Sequence, residues 1–162
     1  MSHTITIAPV RKTLLVAATP QQAFEVFTAG IDRWWPKTHG IGPAPVRRSI
    51  IEPHVGGRWY TTCEDGSEVV VGHVKVWQPG ERIVFTWEIS AAWKPEPRVA
   101  LASEVEVQFH GDGAGRTRVE LEHRNFERMG AEAGATMRKG VDGGWPSLLE
   151  LFATEVASAA HD

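Results

Sequence analysis

Apolar residues recur at intervals of three and four positions toward the end of the chain. They are Val141, Trp145, Leu148, Leu149, Phe152, Val156 and Ala159. This spacing follows the 3.6-residue period of an α-helix and places one apolar stripe along one face. Pro146 suits only a first helical turn, where its missing N–H has no helical partner to lose. The pattern therefore predicts a long C-terminal helix that starts near residue 142, is capped by Asp142 or one of the next two glycines, and runs to Ala159.

Upstream of this helix, apolar and polar residues alternate in seven separate runs, which is typical of β-strands. In the sixth run, for example, Val105, Val107 and Phe109 alternate with glutamate and glutamine. Turn-forming pairs such as Asp65-Gly66 and Pro79-Gly80 separate neighbouring runs. The predicted strands span residues 10–16, 46–52, 58–64, 68–77, 82–88, 99–110 and 116–125.

Two short helices are predicted between the first and second strands. Thr19 is a candidate N-cap, Pro20 suits the first helical position, and Gln22 stands where a capping box needs it. Gly30 is expected to end the first helix, and residues 31–35 form the second.

Residues 127–140 carry no clear signal. Met129, Ala133 and Met137 could share one helical face, but Gly130 and Gly134 weaken a helix in this region. The segment is therefore left open between helix and loop.

Strands with one apolar face form an antiparallel sheet that is wet on one side and must be covered on the other. The long amphipathic element available to cover it is the C-terminal helix. The chain is thus predicted to be a single α+β domain over residues 1–162, with a curved antiparallel sheet of about seven strands wrapped round that helix. A space is expected wherever sheet and helix diverge.

Several short stretches follow one another in an order typical of a known superfamily. They are Thr19-Pro20-Gln21-Gln22-Ala23-Phe24, Trp34-Trp35-Pro36, Gly56-Gly57-Arg58-Trp59, the run from Val76 to Trp87, and Gly144-Trp145 followed by Leu148 and Leu149. From Val10 to Ala157 the chain resembles the START/Bet v 1-like (SRPBCC) superfamily, and within it the family related to the activator of the heat-shock protein 90 ATPase. The resemblance implies the helix-grip fold.

In members of this superfamily, the space between sheet and helix commonly holds an apolar small molecule. Some relatives are cyclases or dehydratases, some sequester toxic metabolites, and some only bind. The family takes its name from a co-chaperone, but a chain of 162 residues is expected to lack the additional co-chaperone domain, so that activity is not favoured.

Composition narrows the choice of partners. The net charge is −3 with acidic and basic residues interspersed, so no nucleic-acid partner is expected. No long apolar run could span a membrane, and no secretion signal opens the chain. The single cysteine, Cys63, excludes an internal disulfide, which suits a reducing cytoplasm. A soluble cytoplasmic protein with no membrane partner is predicted, and a homodimer is left open.

Seven tryptophans in 162 residues indicate either a bulky core or an aromatic-lined cavity. Strand alternation turns several aromatic residues inward, and the helical stripe faces them. The predicted ligand-binding cavity residues are Trp34, Trp35, Trp59, Phe85, Trp87, Phe109, His123, Trp145 and Leu149.

Two histidines are candidates for acid–base chemistry. Alternation places His123 on the inner face of the last strand, where a structural hydrogen bond is the favoured interpretation. His39 follows Trp35 in a loop and could lie at a pocket entrance, although a solvated loop residue explains it as well. The histidines lack metal-ligand spacing, and one cysteine cannot form a thiolate site. No catalytic residue, no metal site and no cofactor are predicted.

Three functions fit these observations. The favoured one is a binding protein for an apolar or aromatic small-molecule ligand in the cavity. The second is an enzyme of the cyclase or dehydratase type, with His123 or His39 supplying acid–base help. The third is an interaction protein of the co-chaperone type.

Overall fold

The computed structural model describes residues 6–159, which form one seven-stranded antiparallel sheet and three α-helices. The strands are β1 (Val10–Val16), β2 (Val46–Ile51), β3 (Arg58–Cys63), β4 (Glu68–Gln78), β5 (Arg82–Trp87), β6 (Ser103–Gly111) and β7 (Thr117–Arg124). The helices are α1 (Pro20–Phe27), α2 (Ile31–Trp34) and α3 (Ala131–Ala159). Strand order across the sheet is β1-β7-β6-β5-β4-β3-β2. The predicted α+β helix-grip architecture is confirmed.

The capping box at the start of α1 is present as predicted. The Thr19 hydroxyl accepts a hydrogen bond from the Gln22 backbone, and the Gln22 side chain accepts one from the Thr19 N–H. Because β1 and β2 lie at opposite edges of the sheet, α1 and α2 must carry the chain from one edge to the other. α1 also packs on α3, where the rings of Phe27 and Phe152 lie 5.4 Å apart.

The core lies between the concave face of the sheet and α3. The sheet contributes inward-facing residues such as Phe85, Val105 and Leu121, and the helix contributes Leu149 and Phe152. All five are buried, as alternation on the strands and periodicity on the helix predict.

α3 begins at Ala131, so the predicted start near Asp142 is wrong and Pro146 lies inside the helix. Tertiary packing overrides the low helix propensity of glycine here. A Cβ on Gly134 would lie 2.3 Å from the carbonyl oxygen of Phe126, so glycine lets the helix approach that segment closely. Met137 is fully buried one turn later, which anchors this first part of α3 on the core.

The predicted sixth strand also starts too early. Residues Val99–Leu101 form a 3₁₀ turn, and β6 begins at Ser103. Ser103 pairs with Trp87, the last residue of β5. Beyond this pair the chain of β5 turns away into a small hairpin closed by Ile89 and Pro95. The residues just before Ser103 therefore have no residue of β5 opposite them with which to pair.

Candidate functional site

A cavity of about 370 Å³ lies where the middle of α3 diverges from the end of the sheet. Its lining combines one stretch of α3, the end of β5 and two loops. The lining residues are Trp35, Thr38, His39, Gly40, Ile41, Trp87, Ile89, Trp93, Gly140, Val141, Gly144, Trp145 and Leu148. Most of the lining residues are apolar or aromatic, so the cavity suits an apolar or aromatic small molecule.

Three buried tryptophans from three different elements meet at the inner wall of the cavity. Trp35 follows α2, Trp87 ends β5, and Trp145 lies on α3. The ring centroids of Trp35 and Trp145 are 6.0 Å apart, and those of Trp87 and Trp145 are 5.7 Å apart. These separations are typical of attractive aromatic contacts, so the three rings stabilise one another in the wall.

A second layer of aromatic residues supports this wall from the core. The ring of Trp59 lies edge-on to Trp35 with the centroids 4.9 Å apart, and it also contacts Phe85. Trp34 packs against Trp35 and donates its indole N–H to the Val26 carbonyl at 3.0 Å.

Two indole N–H groups in this cluster, those of Trp59 and Trp87, are buried and have no hydrogen-bond partner among residues 6–159. An unsatisfied buried donor costs about 1–3 kcal/mol. The aromatic cluster therefore contains two donors that are unpaired within the described part of the chain, and the one on Trp87 belongs to a residue that lines the cavity.

Trp93 forms the outer wall and is the most strained residue of the site. It is 46% exposed, and its φ of 59° lies in the left-handed region that bulky residues avoid. The hairpin tip holds it there, because the Trp93 N–H donates to the Ser90 carbonyl at 2.8 Å. Its ring packs on α3 at Gly140, where an added Cβ would lie 2.8 Å from Cζ2 of Trp93.

His39 lies at the mouth of the cavity, exposed, in the 3₁₀ turn Lys37–His39. The base of this turn is fixed by Asp32, which accepts hydrogen bonds from Lys37 Nζ and from the Ser49 backbone, both at 2.9 Å. A histidine at a fixed position beside a cavity can exchange protons with a bound molecule.

His123 lies behind the wall, fully buried, and does not line the cavity. Its Nδ1 accepts a hydrogen bond from the Trp145 indole N–H at 3.1 Å, and Nε2 lies 2.8 Å from the Ser103 hydroxyl. Since Nδ1 is an acceptor, Nε2 carries the proton of the neutral ring and donates to Ser103. Burial lowers the pKa of His123 to about 3. The ring is thus a neutral link between β6, β7 and α3.

The structure brings three of the nine predicted cavity residues together at the cavity, namely Trp35, Trp87 and Trp145. The other six are buried in the core beside or below it: Trp34, Trp59, Phe85, Phe109, His123 and Leu149. Apart from His39, sequence reasoning missed the remaining lining residues, among them Trp93, Gly140, Gly144 and Leu148. A tryptophan in an otherwise polar, proline-rich loop was the available signal for Trp93, since a solvated loop gives so large an apolar side chain no place to pack.

Among residues 6–159, no group of three or more His, Cys, Asp or Glu side chains could hold a metal ion. Over the same residues, no helix is long and apolar enough to cross a membrane.

Comparison with known proteins adds a family and several relatives. The sequence model of the family described as Activator of Hsp90 ATPase homolog 1-like protein matches residues 17–157. Among solved structures, the anthrahydroquino-γ-pyrone synthase Txn09 is 40% identical, the match covering 91% of this chain and 96% of that one with a TM-score of 0.64. The self-sacrificing resistance protein CalC from Micromonospora echinospora is 29% identical to this chain. The match covers 93% of this chain and 95% of CalC, with a TM-score of 0.68.

A more distant structure, MLL2253 from Mesorhizobium loti, is 18% identical, with 94% and 98% covered and a TM-score of 0.63. That likeness shows the shared fold alone. No curated protein matches the sequence.

Proposed function

The chain belongs to the family of Activator of Hsp90 ATPase homolog 1-like proteins. From that premise we propose that it binds an apolar or aromatic small molecule in the cavity between the sheet and α3. The observation that carries this proposal is the set of four tryptophans on one cavity: Trp35, Trp87, Trp93 and Trp145. Three of them are buried, and the fourth is held in a strained conformation at the outer wall. Strain of this kind clusters at ligand sites, where it contributes to a preformed geometry.

The size and surface of the cavity support this proposal. Small-molecule sites usually enclose about 300–1,000 Å³ and are lined mainly by apolar and aromatic side chains. The present cavity, at about 370 Å³, lies at the lower end of that range. It therefore suits a compact ligand of a few rings better than a long lipid.

The name of one relative supports an aromatic ligand. The synthase that is 40% identical to this chain carries in its name a fused aromatic ring system, and CalC is a resistance protein at 29% identity. Both are aligned over more than nine-tenths of either chain. We therefore extend to this chain the handling of aromatic small molecules, without assigning a particular compound.

A thermal-shift and calorimetric panel tests the binding proposal. The panel holds danthron (a three-ring dihydroxyanthraquinone), the flavonoid naringenin, the steroid androsterone and the fatty acid oleate. A compound that binds only the folded state raises the melting temperature by mass action. At least one member is expected to do so and to give a saturable heat of binding. If none does, the binding proposal is wrong.

Trp93→Ala is the variant that locates binding at the cavity. The change removes one aromatic wall, and an aromatic contact is worth about 0.5–1.5 kcal/mol, so affinity should fall about two- to tenfold. Leu15→Ala is the matched control, because Leu15 is 53% exposed on β1 and does not line the cavity. Equal affinities of the two variants would place the ligand elsewhere.

A second candidate function is catalysis of a ring closure in the same cavity. The specific observations are the 40% identity to a γ-pyrone synthase and the exposed His39 at the cavity mouth. In such a closure the oxygen of a phenol bonds to a side-chain ketone carbon. The phenol proton and one proton of the neighbouring CH₂ leave with the ketone oxygen as one water. His39 would move one of these protons.

Mass spectrometry tests this reaction on a hydroxyanthraquinone with an adjacent 1,3-diketone side chain. Wild-type protein should accelerate the loss of one water, and His39→Ala should abolish most of the acceleration. His54→Ala is the control, since His54 is also exposed in a turn but lies away from the cavity. If wild type and buffer give equal rates, the chain binds without catalysing this closure.

A further inference from the structure

The wall that α3 gives to the cavity has a shape that the other walls lack. Gly140, Gly144 and Leu148 follow one another at intervals of four residues, so they form one row on the helix surface, and all three line the cavity. The first two members of the row are glycines. The ring of Trp93 covers Gly140, whereas Gly144 has no neighbouring side chain among the described residues. Within this row the backbone of α3 is therefore bare at Gly144.

Large apolar groups lie on both sides of Gly144 along the row. Trp93 packs on the helix at Gly140, where its Cζ2 would lie 2.8 Å from an added Cβ. Leu148 lies one turn beyond Gly144, and Val141 and Trp145 flank it along one side. The bare backbone at Gly144 thus forms a small floor in the cavity wall that is bordered by aromatic and apolar side chains.

Gly144 has no neighbour within 4 Å of the position that a Cβ would occupy. The packing of the described protein therefore does not require glycine there, and alanine would favour the helix more. Gly143, the preceding residue, also has no such neighbour, but it is exposed and lies outside the cavity. A methyl group at position 144 would enter the cavity, whereas one at 143 would enter solvent.

We infer that Gly144 determines the specificity of the cavity and that the ligand is a planar, fused aromatic ring system lying with one face on the bare backbone of α3. A flat ring makes full van der Waals contact with such a floor and reaches the tryptophan rings around it. Puckered saturated rings and flexible chains touch the same floor at few points. This inference rests on the proposed binding function and adds the class of ligand and the residue that selects it.

A matched pair of glycine variants tests the inference with danthron as the planar probe. Gly144→Ala is expected to weaken danthron binding about fivefold or more, because the methyl group lifts the ring off the floor. Gly143→Ala is expected to leave the affinity unchanged. Both variants should melt at or above the wild-type temperature, because both replace glycine by alanine within a helix. A weaker affinity therefore reports the cavity and not a loss of folding.

Three outcomes decide the matter. A loss smaller than about fivefold in Gly144→Ala, or an equal loss in both variants, overturns the role of Gly144. Wild-type protein that binds androsterone or oleate as tightly as danthron overturns the planar ligand class. Wild-type protein that binds no compound of the panel contradicts the proposed binding function itself, which separates that failure from the other two.

Discussion

His123 is fully buried, and each of its ring nitrogens is hydrogen-bonded to a neighbouring side chain. A general base needs a free lone pair within reach of the substrate, and the lone pair of Nδ1 is already used by Trp145. Burial also lowers the pKa of His123 to about 3. His123 therefore has a structural role on the inner face of the sheet, as alternation favoured. The exposed His39 is the histidine that lines the cavity.

The lowered pKa of His123 makes folding stability depend on pH. The unfolded chain binds a proton at this residue below its ordinary pKa of 6.5, but the folded protein does so only near pH 3. The contribution is fully present above pH 6.5 and is lost as the pH falls toward 3. Between pH 7 and pH 5 the free energy of unfolding should fall by about 2 kcal/mol from this group.

Urea unfolding of wild type and His123→Asn at both pH values measures this contribution. The asparagine can keep the hydrogen bond from Trp145 but loses the one to Ser103, so stability at pH 7 should fall by about 1–3 kcal/mol. The variant should also lose the titrating group, and its stability should change less between pH 7 and pH 5. An unaltered pH dependence would show that His123 is not the group responsible.

Which residues face the core could be predicted where the two-residue period of a strand decides it. Alternation identifies Trp59, Phe85 and Trp87 as inward-facing, and all three are buried. It cannot tell which inward residue borders a cavity, because that depends on where α3 leaves the sheet. Trp87, at the end of β5, borders the cavity. Trp59, on β3, lies behind Trp35 and does not.

At the scale of elements, α3 shows how packing sets a helix boundary. Gly134 lies where an added Cβ would meet the Phe126 carbonyl oxygen at 2.3 Å, a backbone atom that cannot move aside easily. Gly134→Ala should therefore destabilise the protein by about 1–3 kcal/mol, as overpacking does. Gly143→Ala, in open space on the same helix, should be neutral or stabilising by up to about 1 kcal/mol. Equal effects on the unfolding free energy would contradict this account of the helix start.

The apolar stripe of α3 gives a second prediction. Leu149 is 5% exposed within the core, whereas Leu151 is 43% exposed on the opposite side of the helix. Leu149→Ala should lower the free energy of unfolding by about 2–5 kcal/mol. Leu151→Ala should change it by less than about 0.5 kcal/mol. Denaturant midpoints for the two variants check the difference, and similar midpoints would mean that the stripe does not face the core.

The boundaries of elements were predictable where the deciding interactions are local. The start of α1 was predicted because Thr19 and Gln22 cap it through bonds within four residues. The start of α3 was not, because the contact of Gly134 with Phe126 depends on how the chain folds back. In the same way, β6 could not be predicted to start at Ser103 without knowing that β5 ends at Trp87.

At the scale of the whole molecule, periodicity predicts the architecture because every strand must present one apolar face to the single long helix. The same reasoning predicts a space between sheet and helix but not its outline. That outline depends on Trp93, from a loop, on Gly140, from the segment left open between helix and loop, and on Gly144, which was predicted only as a possible helix cap. The inner wall of the cavity thus comes from residues that periodicity identifies, and part of its outer boundary comes from segments with weak sequence signals.

The most direct test of ligand binding in this cavity uses the indole N–H signals of the seven tryptophans in a two-dimensional ¹⁵N–¹H NMR titration with danthron. Trp35, Trp87, Trp93 and Trp145 line the cavity, whereas Trp77 packs against Phe24 and does not. The signals of the four cavity tryptophans should shift most and saturate together, while that of Trp77 stays in place. No shift at saturating danthron, or a shift confined to Trp77, would contradict the account.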